Sequence, residues 1–439
     1  MSAAVRFLST IAAGWCLLAA PDPATAQTSA ASGDSVRAGG ALLRDLQNAD
    51  DAFYLEELFQ FDPAFRDSAV ARLDSLGFEA FEDQQNARPR SFRIGFVLSE
   101  HLTDFNRVEG LVGGGGLEVH PLGQGGLSLR GEAGYATASE EFRHYEQLQV
   151  PLFQTRSTRI QAVVSYGDRA RPFGANHPAA GGLRALAGGS DDRHYLRSRG
   201  GAARFQIRHD HGLRVGFGYE AARESPLEVA TDFAIIGRMP GSNAAASEGI
   251  DRAAVVTARY GLLGDDGAQA GIAYRVAGGA LGGDFAYQRA ELNLLTRRYL
   301  GRQEFLLDAR AVVTGDGAPG QRLADLGGYD SIRGFPGRMR VGESSLAGRL
   351  EYHVPYDLLA RTGIPYVRSL HLQLVPWADA GRVWEGNAST WITSGGLGLQ
   401  YYLGPFERVT HIRLDLAFPL GPDRTDDVQV LLGFSRGLF

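Results

Sequence analysis

From Ser91 to Phe439 apolar and polar residues alternate with a period of two, and no other feature limits the possible folds so sharply. In His411-Ile412-Arg413-Leu414-Asp415-Leu416-Ala417-Phe418, the residues Ile412, Leu414, Leu416 and Phe418 share one side, while His411, Arg413 and Asp415 share the other. Successive side chains of a strand point to opposite faces, so this is a strand with one apolar and one charged face. Arg204-Phe205-Gln206-Ile207-Arg208, Arg349-Leu350-Glu351-Tyr352-His353-Val354 and Leu370-His371-Leu372-Gln373-Leu374 repeat the pattern. A soluble sandwich would bury the apolar side. A wide membrane barrel turns it to lipid and faces the charged side to a wet lumen. Beyond Leu18 no apolar run approaches the roughly 20 residues that a spanning helix needs, and a closed barrel is the other structure that satisfies its backbone in lipid. The 58 glycines and the plentiful Tyr and Phe suit such strands, which are only half apolar.

Sixteen alternating segments can be drawn, beginning with 91–99 and 105–120 and ending with 409–420 and 425–439. With the N-terminus inside, the connections after odd-numbered strands lie outside the cell. These include the long ones near 167–198, 224–248 and 315–341, whereas Gly264-Asp265-Asp266-Gly267 and Gly301-Arg302 make tight inner turns. Short periplasmic turns and long outer loops are the expected asymmetry of these barrels. The connection near 356–366 is longer than this scheme predicts. The expected fold class is therefore all-β, a sixteen-stranded antiparallel transmembrane β-barrel over 91–439. Its lumen would be too wide for side chains to fill, so it must be plugged or conduct.

The N-terminus reads as an export signal. Arg6 supplies the positive region, Phe7 to Ala20 is apolar, and Ala24-Thr25-Ala26 is a small-x-small cleavage site ahead of Gln27. Removing residues 1–26 takes away Cys16, the only cysteine, so the mature chain has no disulfide, no thiolate metal site and no Cys nucleophile. All 44 basic residues are Arg, which excludes phosphate-loop lysines, Schiff-base chemistry and Ser-Lys dyads. The net charge of −6 gives no footprint for nucleic acid. Residues 27–90 carry helical spacing instead of alternation. Asp62-Pro63 reads as an N-cap and first helical residue, Phe65, Ala69, Leu73 and Leu76 follow on one face, and Gly77 is a stop. A short helical periplasmic segment is expected there.

The loop ahead of strand 12 contains Leu326-Gly327-Gly328-Tyr329-Asp330-Ser331-Ile332-Arg333-Gly334-Phe335-Pro336-Gly337. Val375-Pro376-Trp377-Ala378-Asp379-Ala380-Gly381-Arg382-Val383-Trp384 follows on strand 13, and Phe105-Asn106-Arg107-Val108-Glu109-Gly110-Leu111 opens strand 2. In this order the three stretches resemble the BamA/TamA superfamily of outer-membrane assembly and two-partner-secretion barrels. The resemblance covers residues 91–439 and rests on Ile332, Arg333, Gly334 and Phe335 as the family's plug-loop motif. It implies a loop between strands 11 and 12 that folds back into the barrel. Family members that insert proteins also carry POTRA domains of βααββ pattern, which residues 27–90 do not show. The terminal Phe439 suits recognition by the barrel assembly machinery, although Gly437 stands where a second aromatic is common.

A loop crossing a wide lumen needs an anchor, and an Arg fork held by carboxylates is a strong one at reduced dielectric. Alternation puts His371, Gln373, Val375, Trp377 and Asp379 on one face, and Arg349, Glu351 and His353 on one face of strand 12. Arg333 is expected to pair with Asp379, with Glu351 as second acceptor and Trp377 beside them; a solvated loop charge is the bland alternative. Trp384 and Trp391 read as interface anchors. His209-x-His211 offers two ligands, too few for a metal site, and no HExxH pattern occurs. No metal, cofactor or enzymatic activity is expected. Two functions follow from the resemblance. The first is protein or lipid translocation or assembly at the outer membrane; the alternative is a non-translocating barrel that anchors its N-terminal segment or a periplasmic partner. The implied partners are outer-membrane lipid, the barrel assembly machinery during biogenesis, and an unidentified periplasmic or client protein.

Overall fold

The computed structural model describes residues 92–98, 102, 104–121, 126–155, 157–174, 181–188, 191–239, 241–262, 267–354, 372–402, 411–421 and 428–435. The export signal, the 27–90 segment, Phe439, His371 and the 356–366 connection lie outside the described residues, as does most of the Gly264–Gly267 turn.

The described chain is all-β apart from short helical turns, and one antiparallel sheet of seventeen strands dominates it. In chain order these are β1 (Arg93–Leu98), β2 (Asp104–Asn106), β3 (Gly110–His120), β4 (Ser128–Ala136), β5 (Glu141–Gln154), β6 (Thr158–Phe173), β7 (His194–His209), β8 (Leu213–Pro226), β9 (Gly249–Leu262), β10 (Ala268–Ala277), β11 (Tyr287–Leu300) and β12 (Gln303–Thr314). A two-stranded pair, β13 (Ala324–Leu326) and β14 (Arg340–Gly342), interrupts the sequence. The sheet then resumes with β15 (Ser344–His353), β16 (Leu372–Glu385), β17 (Ala388–Tyr402), β18 (His411–Leu420) and β19 (Gln429–Ser435). Helix α1 (Gly181–Gly188) lies between β6 and β7.

Each strand pairs with its neighbour in sequence, as hairpin connections require, with β12 passing directly to β15. The exception corrects the expectation of one strand over 105–120. Arg107 to Glu109 form a turn, so Asp104–Asn106 folds back on Gly110–Val112, while β1 pairs with the other end of β3 from Gly115 to His120. Asn106 drives this local reversal, its Oδ1 accepting from the backbone N–H groups of Val108 and Glu109 at 3.1 and 2.9 Å. Because β1 and β2 share one side of β3, the seventeen strands fill sixteen positions. Pairing passes from strand to strand from β1 to β19, with one register shift between Pro151 and Phe153 of β5, and no ladder joins these two ends among the described residues. The ends nonetheless approach one another, since α1 packs against both β2 and β19. The expected 167–198 loop also proves shorter, because β6 runs on to Phe173 and β7 begins at His194.

Burial is the inverse of a soluble protein's. On β18 Leu414, Leu416, Phe418 and Leu420 are exposed, whereas Arg413, Asp415 and Ala417 are buried. Aromatic pairs continue this outer face, the exposed Phe205 with Phe217 and Tyr135 with Phe142 and the half-buried Phe305 with Tyr352, at ring separations of 5.0 to 5.2 Å. Among the described residues no large apolar core lies within. The interior holds ion pairs and small apolar clusters, of which the largest joins Leu326, Ile332 and Phe335 to Ala347, Val383 and Ile392 of the wall.

Candidate functional site

The segment 315–343 between β12 and β15 is folded inward. It begins with a 3-10 turn, Gly320–Arg322, passes through the β13–β14 pair and carries the Ile332–Phe335 motif at its tip. Positive φ at Gly327, Gly328 and Gly334 (110°, 89° and 85°) lets the chain reverse where a side chain would strain it. Ile332 and Phe335 point into the apolar cluster, and Arg333 points the other way. On the wall, Gly381 makes the room, because a Cβ there would meet Leu326 Cδ1 at 2.7 Å and Ile332 Cδ1 at 3.1 Å.

Arg333 is fully buried. Its Nε and Nη2 donate to the two oxygens of Asp379 at 2.9 and 2.7 Å, its Nη1 donates to Glu351 at 2.8 Å, and its backbone N–H reaches Asp379 at 3.0 Å. The guanidinium carbon stacks 3.8 Å from the Trp377 ring centre. The indole in turn lies against Gly396, where a Cβ would come within 2.6 Å of its Cε2. Burial alone would lower the pKa of Arg333. Asp379 and Glu351 more than reverse this, holding it above its ordinary value and the group cationic. Strand pairing prepares the acceptors, since Arg349 faces Asp379 and Glu351 faces Trp377 across β15 and β16.

The structure extends this group beyond the residues singled out from the sequence. Arg413 donates to Glu351 at 2.7 Å and to Asp415 at 2.9 Å, and the Tyr329 hydroxyl donates to Asp415 at 3.1 Å. Charge therefore balances locally, with Arg333, Arg349 and Arg413 against Asp379, Glu351 and Asp415, as buried ions require.

A second anchor holds the start of the segment to a different part of the wall. Arg322 is buried between Glu224 of β8, Asp251 of β9 and Tyr287 of β11; its Nη2 donates to Asp251 at 2.8 Å and also to Glu224, and its Nε to the Tyr287 hydroxyl at 3.1 Å. Gln321 donates to Glu224 at 3.1 Å and exchanges hydrogen bonds with the backbone of Ser247 at 2.9 and 3.0 Å. Nothing local in the sequence signals this anchor, because Glu224 lies 98 residues before Arg322. The one available signal is alternation, which places Glu224 and Asp251 on the polar face.

A third contact reaches the ends of the sheet. The Arg184 guanidinium on α1 stacks 4.6 Å from the ring centre of Tyr329, and Asp192 accepts the Tyr329 backbone N–H at 3.1 Å. Ala185, one residue on, is buried against Phe105 of β2. The β2–β3 turn is tied to the same region, Arg107 donating to the Asp191 carbonyl at 2.7 Å and to the Arg193 carbonyl at 2.5 Å. Asp330 lies 4.0 Å from Arg184, and burial pushes its pKa up to about 6, with Arg184 only partly opposing the rise.

The remaining sequence candidates are more ordinary. The Trp384 and Trp391 rings flank the Arg382 guanidinium at 4.9 and 5.4 Å, and Trp391 is exposed. The His209 and His211 rings lie 4.9 Å apart, and no group of three metal-ligating side chains is found among the described residues. Gly433-Phe434-Ser435-Arg436-Gly437 has the GxSxG spacing of a nucleophile elbow. Such an elbow needs a strand-to-helix turn, but Ser435 is paired with His411 in the β18–β19 ladder.

Polar interior, apolar exterior and neighbour-to-neighbour antiparallel pairing define an outer-membrane β-barrel fold. Among solved structures it is similar to BamA from Haemophilus ducreyi lacking POTRA domains 1-3, with a TM-score of 0.50 at 15% identity, covering 79% of this chain and 70% of that one. CdiB from Escherichia coli aligns with a TM-score of 0.44 at 15% identity, covering 79% of this chain and 63% of that one. OccK2 from Pseudomonas aeruginosa, in complex with glucuronate, aligns with a TM-score of 0.34 at 15% identity, covering 78% and 94%. No family model and no curated protein matches the chain in sequence.

Proposed function

We propose that this chain is a BamA/TamA-type barrel of the outer membrane that acts in protein or lipid translocation or assembly, with residues 315–343 as a plug that gates the lumen. The observation that carries the reading is the Arg333 clamp: a loop arginine with no exposed surface, held by carboxylates of two adjacent wall strands. A barrel that served only as an anchor would have no need of a strap with separate charged tethers. Charged tethers within a wet lumen can be exchanged for water without unfolding the wall, which is what a gate requires. The link from Tyr329 to α1, and from α1 to both β2 and β19, would couple plug position to the junction of the first and last strands. Outer-membrane lipid and the barrel assembly machinery are the partners this reading implies, together with a periplasmic or client protein.

The test is conditional depletion of the chain in its own cells, followed by quantitative mass spectrometry of outer-membrane proteins and lipids. Selective loss of particular proteins or lipids, restored by wild type but not by the Arg322→Ala/Arg333→Ala double variant, is the expected result. An unchanged outer membrane after full depletion would instead favour the anchoring role.

A further inference from the structure

On the outer face of β7, β8 and β9 the apolar strip gives way to arginine. Phe205, Phe217 and Val256 stand in register across these strands and are exposed, as are Tyr166 of β6 and Tyr219 of β8. Towards the strand ends that carry the long loops, Arg199, Arg223 and Arg252 take over the same outward face. Alternation fixes this direction, because the adjoining residues Ser198, Glu224 and Asp251 are buried on the inner face. Arg199 stands directly opposite Arg223 in the ladder, and Arg252 is diagonal to Arg223, roughly 7 to 8 Å from it.

Luminal arginines such as Arg143 and Arg275 are paired with carboxylates, Glu109 and Asp251. The outward three are not. Arg223 and Arg252 form no hydrogen bond or ion pair among the described residues, and Arg199 has the Tyr166 hydroxyl alone, at 3.4 Å. Asp168 of β6 lies opposite Arg199, but both its oxygens accept from Arg197 at 2.9 Å. The Tyr219 hydroxyl donates to the Leu281 carbonyl at 3.3 Å and so holds the 3-10 turn Gly279–Leu281 against the outer wall. That turn packs on Arg252, since a Cβ on Gly282 would meet its Nη1 at 2.8 Å. The Arg252 Nε is buried there without a hydrogen-bond partner.

We propose that Arg199, Arg223 and Arg252 bind the phosphate of a lipid in the outer leaflet, whose acyl chains lie along the strip of Tyr219, Phe217 and Val256. Arg223 is four residues beyond Tyr219 on the same face, which puts the guanidinium row where an apolar membrane band meets head groups. Guanidinium forks match phosphate oxygens bidentately, and a partly desolvated one such as Arg252 gains most from an anion. A soluble anion would have no use for the apolar strip beneath the row. The site needs the outer-membrane fold but not the gating role, because it lies on the face opposite the plug.

The test uses the full mature chain folded in neutral detergent, titrated with dioleoyl phosphatidic acid or dioleoyl phosphatidylcholine and read by native mass spectrometry, which counts lipids per chain. One phosphatidic acid should bind saturably, about tenfold or more tightly than phosphatidylcholine, and excess inorganic phosphate should not displace it. Arg199→Gln/Arg223→Gln should weaken that binding about tenfold or more, because two charge-assisted contacts are lost. Arg252→Gln removes a side chain without protein partners, so it should leave the fold intact and weaken binding severalfold. Arg259→Gln takes the same charge from the inner face of the same strand and should leave binding unchanged. The proposal is overturned if phosphatidic acid binds no more tightly than phosphatidylcholine, if the double variant or Arg252→Gln binds as wild type does, or if Arg259→Gln weakens binding as much as Arg252→Gln. Displacement by inorganic phosphate at the lipid's own concentration would overturn it too, by making the row a site for free phosphate.

Discussion

Replacing Arg333 by Ala tests the plug most directly. The substitution removes three side-chain hydrogen bonds, two to Asp379 and one to Glu351, and leaves both carboxylates buried. Arg349 approaches Asp379 no closer than 3.8 Å, so it replaces the lost partner poorly. Glu351 keeps Arg413 at 2.7 Å. Removing one partner of a buried ion pair costs about 3 to 5 kcal/mol, which is roughly a hundred- to several-thousand-fold in the docking equilibrium of the loop tip. Arg322 still holds the start of the segment, so opening should be confined to the stretch beyond it. Hydrogen exchange followed by mass spectrometry should show amides of 326–339 losing protection by that factor, with strand amides unchanged. Asp379→Ala should produce a similar loss. The double variant should be markedly less than additive, because both single changes break one interaction. Full additivity, or protection at 326–339 equal to wild type in Arg333→Ala, would refute the clamp as the tether of the loop.

Other outcomes follow from single positions. The Asp330 carboxyl has a pKa of about 6 when docked, against an ordinary 3.8. The docked state therefore binds the proton more tightly, so docking gains stability as pH falls through 6 towards 4, by up to about 3 kcal/mol, and loses that gain above 6. Protection of 326–339, taken relative to the intrinsic base-catalysed exchange rate at each pH, should rise as pH falls over this window in wild type, and Asp330→Asn should abolish that rise. Gly381→Val should expel Leu326 and Ile332 from their seat, giving protease cleavage within 320–340 while the barrel keeps its heat-modifiable gel mobility. Gly396→Ala forces a methyl against the Trp377 indole, which should destabilise the β16–β18 wall by about 1 to 3 kcal/mol, read as a lower thermal unfolding temperature.

The sequence by itself determined the period-two alternation, and with it which face of each strand carries charge. This information is local, because adjacent side chains of a strand must diverge. Alternation alone put Asp379 and Trp377 on one face and Arg349, Glu351 and His353 on another, and the inward turn of 315–343 came from the motif's resemblance. What the sequence could not decide is which face is buried, since lipid and core attract the same residues; the exposed Leu414 and Phe418 beside the buried Arg413 and Asp415 answer that. Nor could it place turns inside an alternating run. The segment 105–120 reads as one strand, but Asn106 folds it into two by hydrogen bonds that carry no periodicity. Only tertiary structure brings Arg322 to Glu224 and Asp251, seats Arg413 beside Glu351, and lays α1 against both ends of the sheet. Those contacts join residues up to a few hundred positions apart, and curvature and register create them, neither of which is written in any single stretch of chain.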